Sequence, residues 1–402
     1  MQSAGFSAKI YRNIRTKEVL FLKEIYLDNS ATTKPCREAV EAANEMMLRC
    51  WGNPSSTHAK GNEAALKLRE ARRTVASAIA AAPEEVFFTS GGTEANNIAV
   101  FGAAAKNRRV GKRIVTTAIE HSSVLDSVAE LEKQGFEVIR LMPDHQGHIS
   151  PQAIAEAVND DTILVTMMLV NNEVGSILPV DAAVRAARRN APRAIVHCDC
   201  VQAFGKLPLS VKKLGVDLLT VSAHKINAPK GVGALYRRKG LQLPPLTHGG
   251  HQEDSFRPGT EAAPLIAAFG AAAAIACDRT GMSERTTAVK KLRDTTVDRL
   301  RAIEGVVINS AEDALPYILN FSTCRVKAET MLNFLSERGI YVSGGSACAK
   351  GEPSHVIKAL GLSSEASDSA IRVSFGAGNT AEDVDELVRA VEEGIQKLAH
   401  FA

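Results

Sequence analysis

The hydrophobic positions along the chain fall into two textures. From about Tyr26 to Tyr236, short apolar runs alternate with stretches whose apolar residues recur at helical spacing. The runs include Glu85–Thr89, Arg113–Thr117, Phe136–Leu141, Thr162–Leu169, Ala194–Asp199 and Val216–Val221. Gly61–Ala82 and Ser122–Gln134 read as helices between them. Strands alternating with helices predict an α/β domain around a mostly parallel sheet. In such a sheet, ligands belong at the carboxyl ends of the strands.

A long helical segment around Ala262–Ile303 follows, and then the texture changes. Val306–Asn309, Tyr317–Phe321 and Ile371–Phe375 read as strands, and Lys327–Glu337 and Ala381–Leu398 as helices. This pattern predicts a smaller α+β domain. The expected division is a large domain over 25–280 and a small one over 281–402, with 1–24 packing near the small one or forming an extension.

Size agrees with two domains. The chain has 402 residues, 45% of them hydrophobic, and single cores stop growing at roughly 250–300 residues. Charge is nearly balanced, at 48 basic against 45 acidic residues, so nothing global favours nucleic acid or an anionic membrane. No apolar run approaches the roughly 20 residues of a membrane span. The nearest, Ala262–Cys277, contains Pro264 and Gly270 and reads as a buried helix. The leader carries Lys9, Arg12, Arg15, Lys17 and Lys23 but lacks the apolar core of a secretory signal. An organelle transit peptide and a plain surface extension both fit it, and the extension fits better. Seven irregularly spaced cysteines point to free thiols in a reducing compartment, hence a cytoplasmic protein, and not to a disulfide framework.

Several strand ends carry candidate chemistry. Thr89-Ser90-Gly91-Gly92-Thr93-Glu94-Ala95-Asn96 closes a strand and opens a helix. Its glycines allow close backbone approach, and its free N–H groups favour an anion. Phosphate binding and ordinary capping fit this feature equally. It is not a Walker loop, because no Lys-Ser/Thr pair follows. In Ala194–Gln202, Asp199 ends an apolar strand. His197, Cys198, Asp199 and Cys200 are no metal cluster, since alternate strand residues face opposite sides. A buried carboxylate at Asp199 needs a cationic partner, and a protonated pyridine nitrogen is one.

The run Val216–Val221 leads into Ser222-Ala223-His224-Lys225 and a Gly/Pro-rich turn. A lysine leaving a strand there is positioned to meet a cofactor aldehyde, and burial makes it a better nucleophile. Ser222 and His224 can donate to the cofactor's phosphate. A solvated surface lysine is the plain alternative. Asp199 at the preceding strand end turns the reading to pyridoxal phosphate. His121 and Asn172 also follow strands, within reach of a cofactor ring. Ser343–Gly351 places Cys348 in a loop of small residues beside Lys350, which favours its thiolate. Arg372 is a candidate to grip a carboxylate, or a structural ion pair.

Together these segments resemble a cysteine desulfurase of the NifS/IscS group, within the class-V aminotransferases. The likeness runs from Tyr26-Leu27-Asp28-Asn29-Ser30 to Asn379-Thr380. It includes Gly52-Asn53-Pro54-Ser55-Ser56, Ser90–Glu94, Glu120-His121, Asn171-Asn172-Glu173, Asp199 with Gln202, Ser222–Lys225, Arg257 with Gly259-Thr260-Glu261, and Gly345-Ser346-Ala347-Cys348. The resemblance implies a fold-type I α/β transferase: a large domain with a mostly parallel seven-stranded sheet, plus a smaller α+β domain. It implies a homodimer with shared active sites and pyridoxal 5'-phosphate as cofactor.

By the same resemblance, Lys225 is the Schiff-base lysine, His121 stacks on the ring and Asp199 holds its nitrogen. Gln202 bonds the ring hydroxyl oxygen. Gly92, Thr93, Ser222 and His224 bind phosphate, joined by Thr260 from the other subunit. Asn172 and Arg372 hold the carboxylate of L-cysteine, with Asn172 also near the ring. Cys348 takes the sulfur as a persulfide and passes it to an acceptor protein, either an iron–sulfur scaffold or a tRNA-thiolation enzyme. No metal, nucleic acid or membrane is implied. The chain departs from the group's usual pattern at Ala228 and Pro258, in a longer leader, and in a shorter stretch between Cys348 and Ser354-His355-Val356. The rival readings are a pyridoxal-phosphate enzyme acting on another amino acid, and a scaffold that has lost activity.

Overall fold

The computed structural model describes residues 23–344 and 354–399. Cys348 and Lys350 therefore lie outside the described residues. The strands are β1 Ile25–Tyr26, β2 Val86–Thr89, β3 Arg113–Thr117, β4 Glu137–Leu141, β5 Thr162–Met168, β6 Ile195–Asp199, β7 Leu218–Ser222, β8 Gly233–Arg237, β9 Val307–Ile308, β10 Ile318–Ser322, β11 Ile340–Tyr341 and β12 Ala370–Ser374. The expected runs match β2 to β7 to within a residue or two at each end.

Seven strands form one sheet in the order β2-β8-β7-β6-β5-β3-β4. Six run parallel, and β8 alone is antiparallel to both its neighbours. Every residue of β5, β6 and β7 is buried, as expected for strands covered by helices on both faces. The central strands still contain polar groups, and these are paired. His197 bonds Thr166 Oγ1 at 2.8 Å through Nδ1 and Thr220 Oγ1 at 3.0 Å through Nε2. Its burial pushes its pKa down to about 4, so it is a neutral rung within the sheet.

β8 is the strand that the hydrophobic pattern did not mark. Its first residue, Gly233, explains how it fits. A Cβ there would lie 2.7 Å from the Gly91 carbonyl carbon and 2.8 Å from Val221 O. Glycine lets β8 slide between β7 and the Ser90–Gly92 turn. That seats the turn over the carboxyl ends of the sheet.

The expected helical segment Ala262–Ile303 is two helices, Ala263–Ala276 and Arg279–Arg301, bent by 71°. The break has a local cause. Asp278 accepts from Gly281 N at 2.8 Å and so caps the start of the second helix. The first helix is largely buried, with Phe269 and Ala268 fully so. Among the described residues no single helix is long and apolar enough to cross a membrane.

Beyond it, β12-β10-β9 form a three-stranded antiparallel sheet. β1 pairs in parallel with β11, and Asp28 bridges to Ser374 at the end of β12. The segment 25–31 thus reaches from this second sheet back to the first.

Candidate functional site

The carboxyl ends of β2, β3, β5, β6 and β7 converge on a cavity of about 420 Å³. Its lining includes Gly92, Thr93, His121, Asn172, Asp199, Gln202, Ser222, His224, Lys225 and Arg372. Of the sequence-predicted site residues, Thr260 is exposed and does not line this cavity. A neighbouring cavity of about 550 Å³ also reaches Lys225. It lacks Asp199 and His121, so the smaller one holds the concentrated chemistry.

Lys225 ends a single tight turn, Ala223–Lys225, directly after β7. Its Nζ donates to Ser30 O at 2.6 Å and Ala31 O at 2.7 Å. Burial pushes its pKa down to about 8, and the nearby Arg372 charge adds to this. The amine is therefore much closer to its neutral, nucleophilic form than a solvated lysine.

Asp199 closes β6 and is almost fully buried. Oδ1 accepts from Val201 N at 2.9 Å, and Oδ2 accepts from Asn96 Nδ2 at 2.7 Å. Asn96 lies on the helix Gly92–Asn107, one turn after Gly92, and the same amide donates to Ser123 Oγ at 2.8 Å. His121 caps the helix Ser122–Lys133, its Nδ1 accepting from Ser123 N at 3.1 Å and lying 2.8 Å from Ser123 Oγ. Burial lowers its pKa.

Arg372, on β12, is also buried. Its Nη2 donates to Asp28 Oδ1 at 2.7 Å, and Nη1 donates to the backbone oxygen of Asn172 at 3.1 Å. Gln202 donates to Ser30 O at 3.0 Å and accepts from Lys206 Nζ at 3.0 Å. His224 lies 3.2 Å from Thr32 Oγ1 through Nδ1. Burial, then Lys225 beside it, pushes its pKa down to about 4.

The donors suit a phosphorylated pyridine cofactor. Ser222 Oγ is buried and makes no hydrogen bond among the described residues. Such an orphan costs about 1–3 kcal/mol, which a ligand oxygen would remove. Ser222 lies beside the start of the helix Gly92–Asn107 and lines the same cavity: a Cβ on Gly92 would lie 3.6 Å from Ser222 Cβ and 3.0 Å from Val201 Cγ2. The N–H groups and dipole of that helix end favour an anion. Thr260 belongs to a loop tied to the same helix, since Arg257 grips Glu94 at 2.8 and 3.2 Å.

Sequence reasoning assigned no role to Asn96, Ser123, Asp28 or the Ser30–Ala31 carbonyls. The spacing of Gly92 and Asn96, four apart on one helix face, was a usable sign for Asn96. The others depend on contacts between distant segments.

Known proteins share this arrangement of chain and fold. The Aminotransferase class-V family model matches residues 25–387. The cysteine desulfurase IscS of Methanosarcina thermophila is 42% identical over 383 residues, 94% of each chain. A solved NifS-like protein superposes with a TM-score of 0.87 at 37% identity, over 92% of this chain and 98% of that one. The solved structure of SspA in complex with cysteine has a TM-score of 0.77 at 31% identity, over 89% of this chain and all (100%) of that one.

Proposed function

We infer that this chain, which belongs to the aminotransferase class-V family, is a cysteine desulfurase, taking sulfur from L-cysteine and leaving L-alanine. The observation that carries the reading is one cavity shared by Lys225, Asp199 and Arg372. Pyridoxal phosphate bound there would supply an aldehyde for an amine and a sink for electrons from the substrate's α-carbon. Lys225 would hold that aldehyde, Asp199 the ring nitrogen, Gln202 the ring hydroxyl and His121 a ring face. Gly92, Thr93, Ser222 and His224 would hold the phosphate, with Thr260 of a second copy in a homodimer.

The chain's own groups then divide the work. Arg372 and Asn172 orient the substrate carboxylate. Burial, with Arg372 adding to it, holds the Lys225 amine down to about 8, so that once free it takes the α-proton near neutral pH. Cys348, as thiolate, attacks the substrate sulfur. An S–S bond forms to Cys348 as the substrate's C–S bond breaks, and the persulfide passes to an acceptor protein in the cytoplasm. An iron–sulfur scaffold and a tRNA-thiolation enzyme are the acceptor classes proposed.

The described residues on either side of Cys348 support this reading. Ser343 pairs with Arg372, and His355 Nε2 donates to the backbone oxygen of Glu120, beside His121, at 2.8 Å.

The test supplies the purified chain with pyridoxal phosphate, L-cysteine and a thiol reductant, and measures alanine and sulfide. Equal amounts of both are expected. Cys348→Ser should lose sulfide release and keep the visible absorbance of bound cofactor. Sulfide released by Cys348→Ser would refute the persulfide step. No alanine from the unaltered chain would refute desulfuration.

A further inference from the structure

We propose that Asn96 and Ser123 form a hydrogen-bond relay that holds His121 in the neutral tautomer protonated on Nε2, and that couples this tautomer to Asp199. The relay spans four side chains drawn from three separate stretches of sequence. Each link has only one consistent direction.

The direction starts at Asp199. A carboxylate accepts only, so the Asn96 amide must present its NH2 to Oδ2, at 2.7 Å. That nitrogen carries two protons. The second points to Ser123 Oγ at 2.8 Å. The Ser123 hydroxyl therefore receives a proton from Asn96 and has its own to give. His121 Nδ1, 2.8 Å away, is there to take it. The backbone N–H of Ser123 is aimed at the same Nδ1 from 3.1 Å. Two donors converge on one ring nitrogen, so Nδ1 is the bare one and the proton of the neutral ring sits on Nε2.

The opposite tautomer breaks this order. A proton on Nδ1 would face the Ser123 N–H directly. It would also make Ser123 Oγ accept twice and leave its own proton without a partner. The imidazolium meets the same obstacle, because it too needs a proton on Nδ1. Burial already holds His121 below an ordinary histidine. Asp199 and Asp126 oppose that shift, while Lys225 and His355 add to it.

His121 thus offers an N–H and no free lone pair. Ser123 and Asn96 are positioning residues that act through it. The tautomer rests on geometry alone. Its use, with His121 as a donor and Lys225 left as the base, rests on the desulfurase reading.

The experiment is a long-range 1H–15N correlation on the full chain labelled with 15N-histidine, recorded with and without pyridoxal phosphate. His121→Gln identifies the His121 signals by their loss. At neutral pH the unaltered chain should show His121 Nδ1 unprotonated and Nε2 protonated. Asn96→Ala frees the Ser123 hydroxyl to turn, so Nδ1 should move toward the protonated range although Asn96 does not bond the ring. Ser123→Ala should raise the His121 midpoint by about half to one pH unit, a roughly three- to tenfold higher charged fraction. Ser123→Thr, which keeps the hydroxyl, should restore the original signals.

A protonated Nδ1 in the unaltered chain overturns the proposal. So does an unchanged His121 in both Asn96→Ala and Ser123→Ala. The cofactor-free arm gives this answer even if pyridoxal phosphate fails to bind, which would count against the functional reading instead.

Discussion

Ser343 and Arg372 exchange two backbone hydrogen bonds, Ser343 N to Arg372 O at 3.1 Å and Arg372 N to Ser343 O at 2.6 Å. The strand that aims the Arg372 guanidinium into the cavity thus also holds the chain just before Cys348. On the far side, Ser354 Oγ donates to Glu173 Oε2 at 2.5 Å and accepts from Ile357 N at 3.1 Å. It anchors the chain and caps the helix His355–Ala359 in one contact.

Ser354→Ala removes both bonds. A lost cap costs about 1 kcal/mol, and loss of the bond to Glu173 adds to it. Thermal unfolding should shift down accordingly. Alanine formation from cysteine should slow while cofactor absorbance stays unchanged. Equal loss of both would mean that Ser354 supports the whole site and not the Cys348 segment.

Lys225 sets a pH dependence. Only the neutral amine attacks an aldehyde, and its midpoint is about 8. Uptake of pyridoxal phosphate by the cofactor-free chain should therefore speed up as pH rises and level off above that value. Arg372→Gln removes a repelling charge, so the midpoint should move upward. Rapid-mixing absorbance at several pH values measures both. Lys225→Ala should never develop the visible band.

Asp199→Asn keeps the shape and removes the charge. Fixed charges at a reacting centre are worth about 10²-fold or more in rate, so turnover should fall by at least that much with cofactor still bound. A change of only a few-fold would remove Asp199 from its proposed place at the ring nitrogen.

Lys206 is buried, and its ammonium lies 5.7 Å above the Tyr317 ring. Burial, then Lys225 and Arg372, push its pKa down to about 7. The unfolded chain holds it near the ordinary ~10.4. Between these values the unfolded state binds more protons, so this group makes stability rise with pH. Below about 7 its full cost is present. Lys206→Met should stabilise the chain most at and below neutral pH and little near pH ~10. Urea midpoints across that range check the slope, and a uniform gain would contradict it.

Gly233→Ala drives a methyl into Gly91 and Val221. Overpacking of this kind costs about 1–3 kcal/mol. The Ser90–Gly92 turn should also lose its seat. Affinity for pyridoxal phosphate should then fall more than affinity for pyridoxal, which lacks the phosphate. Equal losses would separate that turn from phosphate binding.

The strands β2, β3, β5, β6 and β7 were legible because a strand buried on both faces is a nearly continuous apolar run, a purely local signal; β4, the partly exposed edge strand, showed instead through its Val138-Ile139 and Leu141 positions. β8 was not legible, because its first residue is a glycine chosen for a contact with Gly91, far away in sequence. The break at Asp278 was missed for a different reason: helical periodicity continues on both sides, and only the local cap of Asp278 on Gly281 reveals the turn.

The residues at the strand ends could be named from the chain alone, since a strand's carboxyl end is where its apolar run stops. Lys225, Asp199 and His121 were found that way. Which groups share one cavity is a matter of strand order, and strand order is set by packing between distant segments. The same holds for the carbonyls that hold Lys225 and for the Asn96–Ser123 link to His121. Hydrogen-bond direction depends on which donors meet in space, so the sequence determined the candidate groups, and the tertiary structure decided which partners each of them meets.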